Sequence, residues 1–239
     1  MALTKITREL LNTGIDDNSN ATAITIDSSE DVTLAGHLSF ADSKNAKFGA
    51  GSDLQIYHNG SHSYISDQGT GNLHILTNHL SVHNAADDAI IFHANEAGHV
   101  IMPNQPAFSA TASYSNIPLA SATTMTLSSE RFDTSSDLSG NTFTAPVGGK
   151  YLFTYLFYFF NVAAAHTTLD VHIKTSNKQY QVTYSPDHFI DTDSSFSVTG
   201  SIIADMDAND TCYFSVYCAG GSAQTSLHVD SQVSGCLLT

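Results

Sequence analysis

The stretch KYLFTYLFYFFNV, residues 150–162, decides how the rest of the chain is read. Aromatic residues suit a pleated surface, so the run reads as a long strand. Successive side chains of a strand point to opposite faces. One face carries Tyr151, Phe153, Tyr155, Phe157 and Phe159, and the other Leu152, Thr154, Leu156, Tyr158 and Phe160. Both faces are apolar. An antiparallel sheet usually turns one face to water, so the second face needs cover from another subunit. We therefore expect Tyr151, Phe153, Tyr155, Phe157 and Phe159 at a subunit interface.

Around this strand lie others of similar texture: AFSATAS, TMTLS, NTFTAP, TTLDVHIKT, KQYQVTYS, SFSVTGSIIADM, TCYFSVYCA, SLHVD and QVSGCLLT. About ten antiparallel strands spread over roughly 135 residues predict a sandwich or jelly roll over residues 106–239. Pro103 and Pro106 mark its start.

Upstream, residues 20–104 have a different, regular texture. Short alternating segments recur: AITID, DVTLA, HLSF, AKFG, DLQIYH, SYISD, NLHIL, LSVHN, AIIFH and HVIMP. Apolar anchors fall every eight residues at Ile24, Val32, Phe40, Phe48, Ile56 and Tyr64, then more loosely at Leu73, Val82, Ile90 and Val100. Short strands at fixed spacing with turn residues between them are a repeat signature. Each repeat offers two or three core residues, too few for one chain to offset its conformational entropy. Several chains wound together could do so. The expectation is an intertwined β-structured shaft of three chains. Before it, in residues 1–19, Leu3, Ile6 and Leu10 form one apolar stripe of a short helix ended by Asn12 and Gly14. Such a helix needs a partner, and these three residues are the expected attachment point to a larger body.

Only 13 % of the 239 residues are charged, and the net charge is −15. A phosphate backbone would be repelled, so nucleic-acid binding is not expected. No signal peptide is visible. No apolar window reaches the ~18 residues of a membrane span, so no membrane insertion is expected. The three cysteines, Cys212, Cys218 and Cys236, are odd in number. Cys212 and Cys218 share one strand face roughly 20 Å apart, which forbids a mutual disulfide. They read as buried free thiols, with a bridge from Cys236 to either left open.

The stretch HNGSH places His58 and His62 about an Asn-Gly pair. Asn-Gly between strand-like segments is a strong hairpin signal, so we read it as the joint between two strands of the repeat. His79 and His83, in HLSVH, share a strand face about 13 Å apart and cannot serve one metal within a chain. All four histidines are weak metal candidates, since a three-fold axis could gather copies of one of them and imidazole suits transition metals. No metal or other cofactor is expected. The runs DTDSS and DMDAND lack the glycine and glutamate of a calcium loop and read as acidic surface turns. For catalysis there is no Gly-x-Ser-x-Gly elbow and no phosphate loop. A carboxylate pair for glycosidic cleavage needs only spatial proximity and stays open, but we expect no enzyme.

Residues 106–239 resemble the jelly-roll domains of the complement-q and tumour-necrosis-factor superfamily. The resemblance rests on Phe108 in PAFSA and on SGNTFTAPVGGKYLFTY, which supplies Gly140, Phe143, Pro146, Gly149, Tyr151 and Phe153. It continues through Asp210 in ANDTCYFSVY, with Asn209 in place of the family's glycine. It ends in QVSGCLLT with Gly235 and Leu238, where Val233 and Cys236 replace two phenylalanines. The family is trimeric, which makes the expected interface on residues 150–162 a trimer interface. The N-terminal half resembles fibre proteins of tailed bacteriophages, marine and cyanobacterial ones in particular. FGAGSDLQIYHNGSHSYISDQGTGNLHI is similar to their recurring repeat, and MALTKI and NATAITIDSSEDVTLAG are similar to segments of theirs.

The resemblance implies an all-β, homotrimeric viral protein on the virion, assembled in the host cytoplasm and exposed on the particle surface. Its N-terminal segment, 1–19, would attach to a tail or capsid protein. Its shaft, 20–104, would carry a receptor-binding head, 106–239, for host attachment through a cell-surface glycan or protein. The alternative is a structural capsid or baseplate decoration without receptor specificity. A polysaccharide-degrading spike is more remote. Loops on a rigid scaffold carry recognition, so the expected receptor contacts are Tyr184, Asp187, His188, Phe189, Asp191 and Asp193, in and beside SPDHFIDTDSS.

Overall fold

The computed structural model describes residues 24–26, 29, 31–34 and 36–239. The expected N-terminal helix, with Leu3, Ile6 and Leu10, lies outside them. The chain divides into a unit ending at Leu76 and a unit from Thr77 to Thr239.

In the first unit, β1 (Ile24–Ile26) and β2 (Val32–Leu34) form an antiparallel pair. Then β3 (Asn45–Phe48), β4 (Leu54–His58) and β5 (Ser63–Asp67) form a three-stranded meander. The β4–β5 joint is HNGSH. His58 pairs with Ser63, and Gly60 takes a φ of 93° that L residues avoid. The Asn59 side-chain carbonyl accepts the backbone N–H groups of Ser61 and His62 at 3.0 and 2.8 Å. The stretch is a hairpin turn, as its Asn-Gly pair indicated. Tyr57 and Tyr64 stack across the hairpin at 4.8 Å. Two segments expected as strands, residues 37–40 and 72–76, are not strands here. A strand exists through its ladder, and neither segment has a partner strand among the described residues.

The second unit opens with another meander, β6 (Leu80–His83), β7 (Ile90–Ala94) and β8 (Val100–Ile101). No residue whose burial is described between Ser29 and Gln105 is buried, and the anchors Val32, Phe40, Phe48, Ile56, Tyr64, Leu73, Val82 and Val100 are all exposed.

From Pro106 onward the chain builds a two-sheet sandwich. Its strands are β9 (Ala107–Tyr114), β10 (Thr123–Thr124), β11 (Thr126–Asp133), β12 (Leu138–Ser139), β13 (Thr142–Thr144) and β14 (Gly149–Val162). They continue as β15 (His166–Thr175), β16 (Gln179–Tyr184), β17 (Ser194–Met206), β18 (Thr211–Gly220) and β19 (Ser226–Leu237). One sheet has the order β11-β9-β19-β14-β17. The other is β12-β13-β18-β15-β16, with β10 added on β18. The pairings nest: β9 with β19, β13 with β18, β14 with β17, β15 with β16. A long hairpin rolled over two sheets produces this nesting, and it defines a jelly roll. The expected strands SLHVD and QVSGCLLT are one strand, β19, broken by a bulge between Leu227 and Ser231. Buried Ser231 turns its hydroxyl to the N–H of Tyr158 at 2.9 Å, which serves a donor on the facing strand.

The core is aromatic. Phe108 stacks on Phe143 at 5.0 Å, and Phe143 meets Tyr151 at 5.6 Å and Phe153 at 5.7 Å. Gly235 is required by close approach, because a Cβ there would stand 2.6 Å from the rings of both Phe108 and Phe153. This packing corrects the expected interface. Tyr151, Phe153, Tyr155, Phe157 and Phe159 are all buried between the two sheets of their own chain, so another subunit cannot reach them. The strand is two-faced as its sequence indicates, but the larger rings take the inside. Leu156, exposed by 46 %, and half-buried Leu152, Tyr158 and Phe160 form the outward face.

Candidate functional site

The loop between β16 and β17 carries the residues expected to contact a receptor. Pro186–His188 forms a 3-10 turn with Pro186 at its start, and the N–H of Ile190 closes onto the Pro186 carbonyl at 2.8 Å. Asp187 and His188 are exposed side by side, 3.9 Å apart. Phe189, exposed by 55 %, rests its edge on Phe196 at 5.4 Å, and half-buried Tyr184 meets the same ring at 6.0 Å. Asp191 is exposed. Phe189 is therefore an aromatic side chain presented from a fixed support.

Asp193 has a different task. Its carboxylate accepts the N–H of Ala164 at 2.9 Å and the side-chain amide of Gln224. These bonds favour the ionised form and hold its pKa below the ordinary carboxylate range, the Ala164 N–H contributing most. The loop is thereby tied to the β14–β15 and β18–β19 turns, so Asp193 braces the loop.

Beneath that tie lies a residue that no local sequence pattern singles out. His166 is wholly buried, with Nδ1 2.7 Å from the Gly220 carbonyl and Nε2 2.7 Å from the Thr225 hydroxyl. A carbonyl can only accept, so Nδ1 carries the proton and Thr225 donates to Nε2. The same hydroxyl accepts the Ala163 N–H at 3.3 Å. A buried histidine closing two turns has no short-range sequence pattern, because its partners lie 54 and 59 residues away.

The histidines of the first meanders are engaged locally. His58 faces the Ser63 hydroxyl at 3.2 Å across the hairpin, the His62 ring stands edge-on to Tyr64, and His83 lies 2.8 Å from Asp87. The backbone carbonyl of His79 accepts the Thr77 hydroxyl at 2.9 Å. Among the described residues, no three His, Cys, Asp or Glu side chains converge within the chain.

A serine–histidine pair does occur, His172 Nδ1 and Ser215 Oγ at 3.2 Å, but both are buried and the other ring nitrogen meets the Gln181 amide at 3.2 Å. Burial, with Lys174 adding to it, lowers the His172 pKa from its ordinary 6.5, so the ring is held neutral. All three cysteines are free. Burial pushes the Cys218 thiol up to about 12 and Cys212 higher still, which keeps both protonated and unreactive.

No protein-family model matches the chain, and no curated protein does. Solved structures similar in fold include the globular domain of a zebrafish complement 1qA protein, 16% identical, covering 56% of this chain and 98% of that one with a TM-score of 0.41. The PRD1 vertex protein P5 is 15% identical, with 56% and 98% covered and a TM-score of 0.41. Murine APRIL is 11% identical, with 56% and 99% covered and a TM-score of 0.40. At these scores the likenesses add no weight to the nested strand pairing, which by itself makes the head a jelly roll.

Proposed function

We propose that the chain is a homotrimeric bacteriophage fibre of the virion, a tail fibre whose jelly-roll head binds the host cell surface through a glycan. The observation that carries this reading is the row of exposed anchors between Val32 and Val100, with no buried side chain among the described residues of that region. Exposed apolar side chains in such number are stable in water only when covered, and copies of the same chain carry the same eight-residue repeat. The outward face of the β14 sheet supports the same assembly, since Leu156 on β14 and Ile203 on β17, which pairs with Leu152, are both exposed. The similarity of the repeat to phage fibre repeats supplies the biological setting. The N-terminal segment would join the virion, and the protein would act by binding, without catalysis.

Three copies carry three times the net charge of −15, and bacterial surfaces are also acidic. Salt screens such repulsion within about 3 Å at ~1 M and about 10 Å at ~0.1 M, so adsorption should strengthen with salt or divalent cations. The test is absolute mass of the full chain by light scattering, followed by adsorption of the labelled protein to host cells at rising salt. A species near three times 25.5 kDa that adsorbs is expected. A folded monomer overturns the fibre reading. A trimer that decorates virions but adsorbs to no host cell leaves the structural decoration.

A further inference from the structure

The two sheets of the head present opposite chemistry outward. The β14 sheet shows Leu152, Leu156 and Ile203, whereas the β15 sheet shows hydrogen-bonding side chains in register. Its middle row runs across β16, β15 and β18 as Gln181, which is exposed, and His172 and Ser215, which are buried behind the surface side chains. The row is oriented by its own bonds. The Gln181 amide donates to the Thr183 hydroxyl at 3.1 Å, so its carbonyl is the accepting end. That carbonyl receives the Gln179 amide at 3.0 Å and His172 Nε2 at 3.2 Å. His172 is thus the Nε2–H tautomer, and Ser215 donates to Nδ1.

On β18, Tyr213 and Tyr217 stand two residues either side of Ser215, on the same face and half-buried. Asp170 pairs in register with Tyr217 and Thr183. It is 8 % exposed, and its Oδ1 has no hydrogen-bond partner among the described residues. A buried acceptor without a donor is a standing demand for one. At the β16 edge a separate cleft of about 380 Å³ opens between the two sheets, lined by Tyr155, Val171 and Ile173 and reaching Gln179 and Gln181 only at its rim.

From these observations we infer that the outward face of β16, β15 and β18 binds a neutral oligosaccharide, with Tyr213 and Tyr217 as stacking platforms and Gln179, Gln181 and Asp170 as hydroxyl partners. The inference rests on the reading of the head as a glycan-binding module and moves the contact from the 185–193 loop to a sheet face. Rigid tyrosines offer an amphipathic ring at low entropic cost, and planar amides fixed by their neighbours suit hydroxyl groups that both donate and accept. The face holds no aliphatic anchor for a protein partner. Its charged members in these rows are Asp170 and Lys174 alone, which gives an anionic polymer little to bind on a chain of net charge −15.

The experiment uses the full chain in saturation-transfer NMR with maltopentaose, cellopentaose and mannopentaose, alongside adsorption to a panel of cyanobacterial strains. Tyr217→Ala and Gln181→Ala should each weaken pentasaccharide binding by about tenfold or more, the scale of a lost anchor. Tyr217→Phe should retain it, which separates ring stacking from a folding defect. Phe189→Ala, in the loop, should leave it unchanged. No transfer to any of the three sugars, or binding unchanged in both alanine variants, overturns the inference. Cell adsorption that survives both variants but is lost in Phe189→Ala also overturns it, while host attachment through the head stands. Pentasaccharide binding without adsorption to any strain supports the face and removes the host-attachment reading.

Discussion

Residues 24–102 and the head from Pro106 draw on the same apolar alternation, with opposite results. Sixteen large apolar side chains between Val32 and Met102 are exposed, and none of the described residues there is buried. Twenty-seven apolar side chains from Phe108 onward are buried. What differs is the second layer. In the head, each sheet's inner face meets another sheet of the same chain. The meanders of β3 to β5 and β6 to β8 have strands of two to five residues and one sheet each. Such a sheet needs packing against something else to be stable. The comparison teaches that an apolar period specifies a face to be covered, and the topology decides whether the cover comes from the same chain.

The sharpest break between the regions is a matched pair of substitutions. Phe153→Ala removes a fully buried ring at the centre of the head and should cost about 3–5 kcal/mol, read by denaturant unfolding. Phe48→Ala, at a 51 % exposed position, should change the unfolding of dilute, dissociated chains by no more than about 0.5 kcal/mol. In the trimer proposed above it should lower the melting temperature. An assembled Phe48→Ala protein that melts like its parent would mean the anchor row is not covered at all.

A second prediction concerns the outward faces. Leu156→Asp with Ile203→Asp places charge on exposed positions, so the head should remain folded by circular dichroism. The mass of the full chain should fall from near three times 25.5 kDa towards 25.5 kDa. Retention of the larger mass would assign the assembly to the shaft alone. His166→Ala tests the loop end instead. It strips the Gly220 carbonyl and the Thr225 hydroxyl of a buried partner and should cost about 1–3 kcal/mol, with faster proteolysis of the β18–β19 turn as its local mark.

Much of this was legible in the sequence. The Asn-Gly hairpin, the strand content of the head, the parity of Cys212 and Cys218 and the two-faced strand all follow from local pattern. The assignment of faces on that strand did not follow. Both parities are apolar, and only the ladder with β17 and β19 shows which one meets Phe108, Phe143 and Phe214. The loop at 185–193 was visible as a polar stretch with one exposed ring. That Asp193 braces it, and that His166 lies beneath, depends on partners 29 to 59 residues away. Residues 37–40 and 72–76 alternate like strands, and strand-like alternation cannot reveal whether a partner strand exists.

The smallest expected effect is a pH dependence confined to the head. His172 has its pKa lowered from 6.5 by burial, with Lys174 reinforcing it. Below pH 6.5 the unfolded chain takes up a proton at this ring that the folded chain resists. Unfolding then binds protons, and stability falls as pH drops from 6.5 towards the folded-state value, below which this contribution levels off. Unfolding of the full chain at pH 7.5 and pH 5.5 should show the loss, and His172→Gln should flatten it. The proton would turn Nδ1 from acceptor to donor and force the Ser215 hydroxyl to reverse, so any ligand on this face should also bind less tightly in acid. If His172→Gln leaves the pH profile unchanged, the slope originates elsewhere and not in the buried polar row of the head.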